Sequence, residues 1–201
     1  MTALRLDDLR QHSDVLRARS GEAVTVRFVD PRDAEGIQDY FAGLSSGSRY
    51  NRCFGAMSQL PPALVDRFIH VGEADQFTVI ATMRVDGRET IVGEARYVYD
   101  FATSSVEFGL SIDNRWHGHG IGQALLKNLE CRAAAFGDAL RSNAAMLGLA
   151  KKTGYVFGNS PGDWKLVRFT KEIDVAPRDV PCASWKLAAL SRSVSPAAIA
   201  G

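Results

Sequence analysis

Short segments in which every second residue is hydrophobic recur along the first half of the chain. The segment VTVRFV (24–29) alternates in this way and is rich in β-branched residues, so it predicts a strand. The segments 77–85 (FTVIATMRV) and 90–99 (TIVGEARYVY) flank Asp86-Gly87, which predicts a β-hairpin. SVEFGLSI (105–112) predicts a further strand with two distinct faces. One face carries Val106, Phe108, Leu110 and Ile112, and the other carries Glu107, Gly109 and Ser111.

Helical signals lie before and between these strands. Residues 4–18 have a thin apolar stripe that predicts a short helix before Gly21. Asp30 followed by Pro31 is typical of an N-cap with proline at the first helical position, and this predicts a helix to about Leu44. We expect a loop at 45–48. Pro61-Pro62 then predicts a second short helix that runs through His70.

The second half of the chain continues with alternating helices and strands. Apolar residues recur every fourth position at Ile121, Leu125, Leu129 and Ala133, which predicts a helix. Gly137 is expected to end that helix, and FGDAL (136–140) predicts a short strand. A further helix should begin at Ser142 or Asn143 and end at Gly154. The segments YVF and WKLVRFTKEI (164–173) predict strands.

This order of elements predicts one α/β domain built on a mixed sheet. We expect an N-terminal extension over 1–21, the folded domain over 22–173, and a partly disordered tail over 174–201. The tail has broken patterning with three prolines and a weak helix signal near 184–192.

Composition narrows the classes of function. The 201 residues carry a net charge of +1, which gives no long-range attraction to nucleic acid or to an anionic membrane. The three cysteines are far apart and favour a reducing cytoplasm. The N-terminus lacks the apolar core of a signal peptide, and no apolar run approaches the roughly 20 residues of a membrane span. We therefore expect a cytoplasmic protein.

The stretch NRWHGHGIGQALL (114–126) carries the clearest chemical signal. Gly118, Gly120 and Gly122 stand at the start of a predicted helix, where bare backbone amides and the helix dipole favour an anion. Close packing of the helix is an equally good explanation from the spacing alone. Neither the P-loop pattern nor the dinucleotide-binding pattern fits this spacing. His117 and His119 have no accompanying ligand cluster, so we expect no metal.

The segment VEFGLSIDNRWHGHGIGQALL resembles the acetyl-CoA-binding motif of the GNAT superfamily of N-acetyltransferases. SNAAMLGLAKKTGY resembles the second signature of that family, and DYFAGLSSGSRYNRCF resembles a segment of bacterial protein lysine acetyltransferases. The resemblance covers about 22–173 and implies a single α/β (α+β) domain with a mixed, mostly antiparallel sheet flanked by helices. It also implies acetyl-CoA as co-substrate. The residues that it implies for coenzyme binding are Leu110, Ser111, Ile112, His117, Gly118, His119, Gly120, Ile121, Gly122, Gln123 and Asn143.

The same resemblance gives candidates for the chemistry. Glu107 matches a position where several GNAT enzymes carry a general base, and Glu94 is the second candidate. Many members use a tyrosine to protonate the leaving thiolate, but Ala150 occupies that position and Tyr155 matches a packing position. The connection from Gly137 to Asn143 is shorter than usual, so we expect a truncated turn or a shortened strand next to the coenzyme cleft.

Two functions therefore remain open. The first is an N-acetyltransferase that acts on a primary amine, either a protein lysine or a small molecule, as a monomer or homodimer without nucleic-acid or membrane partners. The second is a catalytically weak or inactive GNAT module that binds acyl-CoA as a sensor or partner domain. A nucleotide-binding protein ranks last. Arg49 and Arg52 are candidates to meet an acidic substrate, although an ordinary solvated loop explains them better.

Overall fold

The protein is built around one extended mixed sheet. In the computed structural model, residues 13–19, 21–70, 76–100, 105–130, 135–160 and 163–171 are described. The eight strands are β1 (Ser13–Arg17), β2 (Ala23–Phe28), β3 (Gln76–Val85), β4 (Arg88–Asp100), β5 (Ser105–Ile112), β6 (Ala135–Leu140), β7 (Val156–Asn159) and β8 (Leu166–Lys171). Their order in the sheet is β1-β2-β3-β4-β5-β6-β8-β7. Neighbouring described strands are antiparallel except β5 and β6, which are parallel.

The predicted hairpin is confirmed in register. Val85 is paired with Arg88, so the connection has two residues, Asp86 and Gly87. Both have positive φ, 50° and 77°, the conformation that a two-residue turn of this kind requires. The mostly antiparallel sheet flanked by helices is the predicted fold class.

Five helices cover the sheet in the described part of the chain: α1 (Ala34–Gly43), α2 (Ser46–Cys53), α3 (Pro62–Ile69), α4 (Ile121–Glu130) and α5 (Ala144–Lys152). A short 3-10 turn over Pro31–Asp33 leads into α1 and carries the predicted cap at Asp30. Asn143 caps α5, because its side chain accepts a hydrogen bond from Met146 N at 3.2 Å. Gly154 follows α5 with a φ of +86°, as predicted.

The helices lie on opposite faces of the sheet. Residues of α1, α2 and α3 contact the face of β4 and β5 that carries Ser111, Gly109 and Arg96. On the other face, Leu125 of α4 lies against β4 and β5, and Phe108 of β5 packs on Tyr155 after α5. The core strands between these layers are fully buried, with 0% exposure at Val79, Ile80, Ala81, Val92 and Ala95.

Three sequence predictions about elements are wrong. Residues 13–17 of the predicted first helix form β1 and pair with β2. The edge of β2 gives their backbone groups hydrogen-bond partners, whereas apolar burial contributes little, since Val15 is 62% exposed. Residues 4–12 lie outside the described residues. The expected loop at 45–48 contains the start of α2, with Ser45 accepting a hydrogen bond from Ser48 N as its N-cap. The sequence of α2 has few apolar residues, so it offers little from which a buried helix face could be predicted.

The third error concerns Gly137. It does not end a helix, because it lies in β6 opposite Phe169 of β8, and α4 already ends at Glu130. The connection is therefore not truncated: β6 is a strand of six residues.

Ala133 and the predicted tail over 174–201 lie outside the described residues. Within the described residues, no helix is long and apolar enough to cross a membrane.

Candidate active site

The parallel strands β5 and β6 separate after two registered pairs. Val106 is paired with Ala135 and Glu107 with Phe136. Beyond this point β5 continues to Ile112, whereas β6 continues to pair only with β8. Among the described strands, one edge of β5 is therefore open from Phe108 onwards, and backbone N–H and C=O groups on that edge can pair with an extended ligand.

A groove of about 450 Å³ begins at this opening. We call it the main groove, and it is bounded by residues 110–112 of β5, by the turn 117–123 and by residues 143–149 at the start of α5. Every residue that the sequence predicted for coenzyme binding lines it except His119. The ring of His119 packs instead on Trp116, with 5.5 Å between ring centroids.

The glycines at the end of the groove have two separate roles. Gly118 and Gly120 have φ of +83° and +88°, a conformation that other residues adopt only at a cost. Gly122 serves close packing, since a Cβ there would lie 3.4 Å from Leu149 Cδ2. The close-packing explanation therefore applies at Gly122, whereas the backbone conformation of the turn accounts for Gly118 and Gly120.

The turn also presents unpaired amides to the groove. The bond from Ala124 N to Gly120 O, at 3.0 Å, closes the first turn of α4. The amides of residues 121–123 precede that bond and so lack an intrahelical acceptor. Such amides, together with the helix dipole, form an anion-binding site.

The side chain of His117 is hydrogen-bonded to the last residue of β5. Its Nε2 lies 2.9 Å from the carbonyl oxygen of Ile112. Because a carbonyl only accepts, Nε2 carries the proton in this arrangement, and Nδ1 of a neutral ring is left as an acceptor. Within the described residues, no three His, Cys, Asp or Glu side chains group as a metal site would require.

A second pocket of about 220 Å³ joins the main groove at Asn51, Arg52, Leu110, Asn143 and Met146. Glu107 lines this second pocket, and its side chain is exposed. The carboxylate therefore lies beside the groove and is open to solvent, as a group that takes up a proton from an incoming amine must be.

Glu94, the second candidate base, is 3% exposed, and both of its carboxylate oxygens accept hydrogen bonds. Arg52 donates to both of its oxygens, at 2.5 and 3.1 Å. Ser111 Oγ donates to Glu94 Oε1 at 2.7 Å and also lies 2.9 Å from the hydroxyl of Tyr40. This network ties α1 and α2 to the sheet, so Glu94 is structural in character.

The same network shifts the pKa of two of its members. Burial lowers the pKa of Arg52, but the charge and hydrogen bonds of Glu94 outweigh burial and raise it overall. Burial, reinforced by the charge of Glu94, raises the pKa of Tyr40 well above its ordinary value. Arg52 therefore stays charged and Tyr40 stays neutral at physiological pH.

Arg49 also has an internal role. Its guanidinium donates to the backbone carbonyls of Ala42, Leu44 and Met57, which fixes α2 against the end of α1. Arg49 and Arg52 are therefore held by partners within the protein and are not solvated loop residues, and Arg52 also lines both cavities.

The position expected for a catalytic acid is closed. Ala150 is fully buried, and Tyr155 is 5% exposed. The Tyr155 ring packs on Phe108 and Phe169, with centroid distances of 6.0 and 5.4 Å. Tyr155 thus has the packing role that the sequence predicted.

Three cations at the two cavities were missed by sequence reasoning. Arg19 and Lys152 line the main groove, and Arg96 lines the second pocket. Arg19 follows β1, which was expected to be helical, and Arg96 lies in an alternating strand without a motif around it. Lys152 lies within the second signature, at the end of α5. The predicted length of that helix was the signal that could have placed Lys152 beside the groove.

No protein-family model matches the sequence. A curated relative, Acetyltransferase PA5475 of Pseudomonas aeruginosa, is 25% identical over 149 residues, which cover 71% of this chain and 80% of the relative. The GNAT domain of S. lividans PAT is 22% identical, with a TM-score of 0.71 over 79% of this chain and 96% of that one. A GNAT-family acetyltransferase of Streptococcus pneumoniae is 18% identical, with a TM-score of 0.56 over 75% and 99%.

This chain has the GNAT acetyltransferase fold. The curated relative supports acetyltransferase activity, and the structural neighbours share the fold. The alternative, a catalytically weak or inactive GNAT module, is not favoured by these comparisons. In this GNAT fold, the opening between β5 and β6 and the glycine turn at α4 belong to one continuous groove.

Proposed function

We propose that this protein transfers an acetyl group from acetyl-CoA to a primary amine. The observation that carries the proposal is the open edge of β5 leading directly to the glycine turn. An extended chain with a pyrophosphate at one end fits such a groove, because the strand edge can bind amides along the chain and the turn can bind the charge.

Each part of the groove has a matching part of acetyl-CoA. The backbone of Leu110, Ser111 and Ile112 would pair with the pantetheine arm, and the amides from His117 to Gly122, with Gln123 beside them, would hold the pyrophosphate. The carbonyl oxygen of the Asn143 side chain caps α5, which leaves its NH2 group for the coenzyme arm. Arg19 and Lys152 line the same groove and would add positive charge near the phosphates.

Glu107 is the proposed general base. A lysine-type amine has a pKa near 10.4 in water and is mostly protonated at neutral pH, so the acceptor must lose a proton to become a nucleophile. The amine nitrogen would attack the thioester carbonyl, its proton would pass to the Glu107 carboxylate, and the C–S bond would break. Backbone N–H groups near Leu110 would stabilise the oxyanion.

The thiolate leaves without a tyrosine to protonate it. Ala150 occupies that position and is fully buried. A thiol pKa near 8.5 makes the thiolate a tolerable leaving group, so the proton held by Glu107 can return to solvent or to the thiolate after the C–S bond has broken.

The binding step is tested by calorimetric titration with acetyl-CoA, with ATP and NAD as comparison ligands. We expect selective binding of acetyl-CoA and its loss in Gly120→Val, because a side chain there meets both a positive φ and Arg19 Cγ at 3.2 Å. Gly43→Ala is the matched control, since Gly43 has open space around it and lies outside both cavities. Equal binding by the Gly120 variant would exclude the turn as the phosphate site.

The chemical step is tested by Glu107→Gln. We expect kcat to fall by about 10²- to 10⁴-fold, the usual contribution of a general base, with acetyl-CoA affinity unchanged. Glu35→Gln in α1 is the control, because Glu35 is exposed and lies outside both cavities. A Glu107 variant with normal kcat would remove this residue from the mechanism.

A further inference from the structure

Arg96 and Glu107 lie on the same face of two neighbouring strands. Arg96 of β4 is paired with Gly109 of β5, and Val98 of β4 is paired with Glu107. The two charged residues are therefore diagonal neighbours, typically about 7–8 Å apart across the two strands, with Cβ atoms somewhat closer. Both line the second pocket, so one cavity contains a cation and an anion separated by the span of a small molecule.

The Arg96 guanidinium is incompletely satisfied. Among the described residues, its buried Nε has no hydrogen-bond partner, although Nη2 donates to Gln76 Oε1, and no carboxylate forms an ion pair with it. A buried donor without an acceptor is unfavourable, so the guanidinium gains if a small shift brings it onto an acceptor in the pocket.

Arg52 provides a contrast within the same pocket. Both guanidinium groups lie over the ring of Phe68, at 5.7 Å for Arg52 and 5.1 Å for Arg96. Arg52 is neutralised by the buried carboxylate of Glu94, whereas Arg96 is not. The uncompensated positive charge of the second pocket therefore belongs to Arg96.

The surroundings of Arg96 are electropositive as well. Burial lowers the pKa of Arg96, and the charges of Arg67 and Arg52 lower it further, against a smaller opposing effect of Glu94. An anion bound here would relieve that repulsion. A planar carboxylate suits the site, because a guanidinium presents its donors in a fork that matches carboxylate geometry.

We propose that the acceptor amine carries a carboxylate and that Arg96 binds this carboxylate while Glu107 receives the proton of the amine. The acceptor is then an amino acid or a similarly compact amino carboxylate. This inference rests on the proposed acetyl transfer and assigns its substrate class; a lysine within a protein chain, which has no carboxylate close to its amine, is the alternative that the test separates.

Binding is measured first, because it does not depend on turnover. The protein saturated with coenzyme A is titrated calorimetrically with a panel of N-acetyl amino acids, each compared with its N-acetyl amino acid amide. We expect at least one acid to bind about 10- to 100-fold more tightly than its amide, the range for a charge-assisted hydrogen bond. If no acid binds more tightly than its amide, the inference is overturned.

Variants connect that preference to Arg96. Arg96→Gln should abolish the acid-over-amide preference, and Arg96→Lys should keep part of it, because the charge remains but the fork is lost. Arg88→Gln is the control, since Arg88 is exposed, lies beside the β3–β4 turn and lines neither cavity; it should change the preference by less than about 3-fold. A preference that survives in a folded Arg96→Gln variant would overturn the assignment.

Turnover separates this inference from the proposed function. Release of coenzyme A is followed with free amino acids, with their amides and with lysine-containing peptides blocked at both ends. If the free amino acids turn over faster, and Arg96→Gln raises KM for them alone, both acetyl transfer and the carboxylate site at Arg96 are supported. Equal or faster turnover of amides and peptides overturns the inference but leaves acetyl transfer standing. Acid-selective binding with no turnover of any amine overturns acetyl transfer while Arg96 remains a carboxylate site.

Discussion

Two residues of the glycine turn differ in what a side chain would meet. Gly118 and Gly120 both have positive φ, but a Cβ at Gly118 has open space whereas one at Gly120 lies 3.2 Å from Arg19 Cγ. Gly118→Ala should therefore lower the free energy of unfolding by about 1–2 kcal/mol through backbone strain alone. Gly120→Ala should cost more than that, and urea unfolding measures both. An equal cost at the two positions would contradict the contact with Arg19.

Asp113 caps the short 3-10 turn Asn114–Trp116 that leads into the glycine turn. Its carboxylate accepts from Arg115 N at 2.9 Å and pairs with Arg115 Nη2 at 2.6 Å. Burial raises the pKa of this carboxyl, but the hydrogen bonds and charge of Arg115, with a smaller effect of His117, outweigh burial and lower the pKa overall. The folded state therefore binds the proton less readily than the unfolded state does.

The pH dependence of stability follows from that direction. The stabilisation is complete above the unfolded aspartate pKa of about 3.9 and is lost as pH falls from there through the folded pKa. Asp113→Asn should be up to about 1 kcal/mol less stable at pH 7, because the amide oxygen can still accept from Arg115 N but the ion pair with the guanidinium is lost. This deficit should shrink as pH falls below about 3.9. Urea unfolding of both proteins from about pH 1.5 to 7 measures this difference. A deficit that stays constant over the range would exclude the carboxylate as its source.

Among the elements, α2 depends on the sheet through a buried ion pair. Arg52 of α2 and Glu94 of β4 have side-chain exposures of 17% and 3%. Glu94→Gln would leave the guanidinium buried without its counter-charge, and we expect a loss of about 3–5 kcal/mol in the free energy of unfolding. Adding Arg52→Met should recover much of that loss, because no unpaired buried charge then remains. A single variant with near-normal stability would show that the pair is not needed.

The elements that the sequence predicted correctly are those with a local signal. The alternating segments that became β2 to β5 and the cap at Asp30 needed no information from elsewhere in the chain. β1 and α2 were missed because their conformation depends on partners: Val15 of β1 pairs with Thr25 of β2, and α2 is fixed through Arg49 and Arg52. Gly137 was misassigned because its pairing with Phe169 cannot be read from neighbouring residues.

For the whole molecule, the groove was predictable from motifs and the second pocket was not. The residues proposed to bind the coenzyme lie in two contiguous segments, 110–123 and the start of α5, so that two signatures sufficed to predict the lining of the groove. The second pocket combines side chains from β4, β5 and α2, and Arg96 acquires a role only because register places it diagonally to Glu107. Such a juxtaposition exists in the folded sheet and leaves no local pattern in the sequence.

The hydrogen bond from Arg19 N to the carbonyl of His119, at 2.7 Å, has a thermodynamic consequence. It joins the segment after β1 to the turn proposed to hold the pyrophosphate. If ligand binding orders the turn, the coupling free energy also stabilises the segment after β1, and the effect is reciprocal. We expect acetyl-CoA to slow hydrogen–deuterium exchange at the Arg19 amide, with the buried Val26 amide unchanged as an internal control. Unchanged exchange at Arg19 beside a protected turn would mean that the two are uncoupled. If the two are coupled, the exchange rate at Arg19, near the start of the sequence, depends on whether acetyl-CoA occupies the groove that residues 110–149 form.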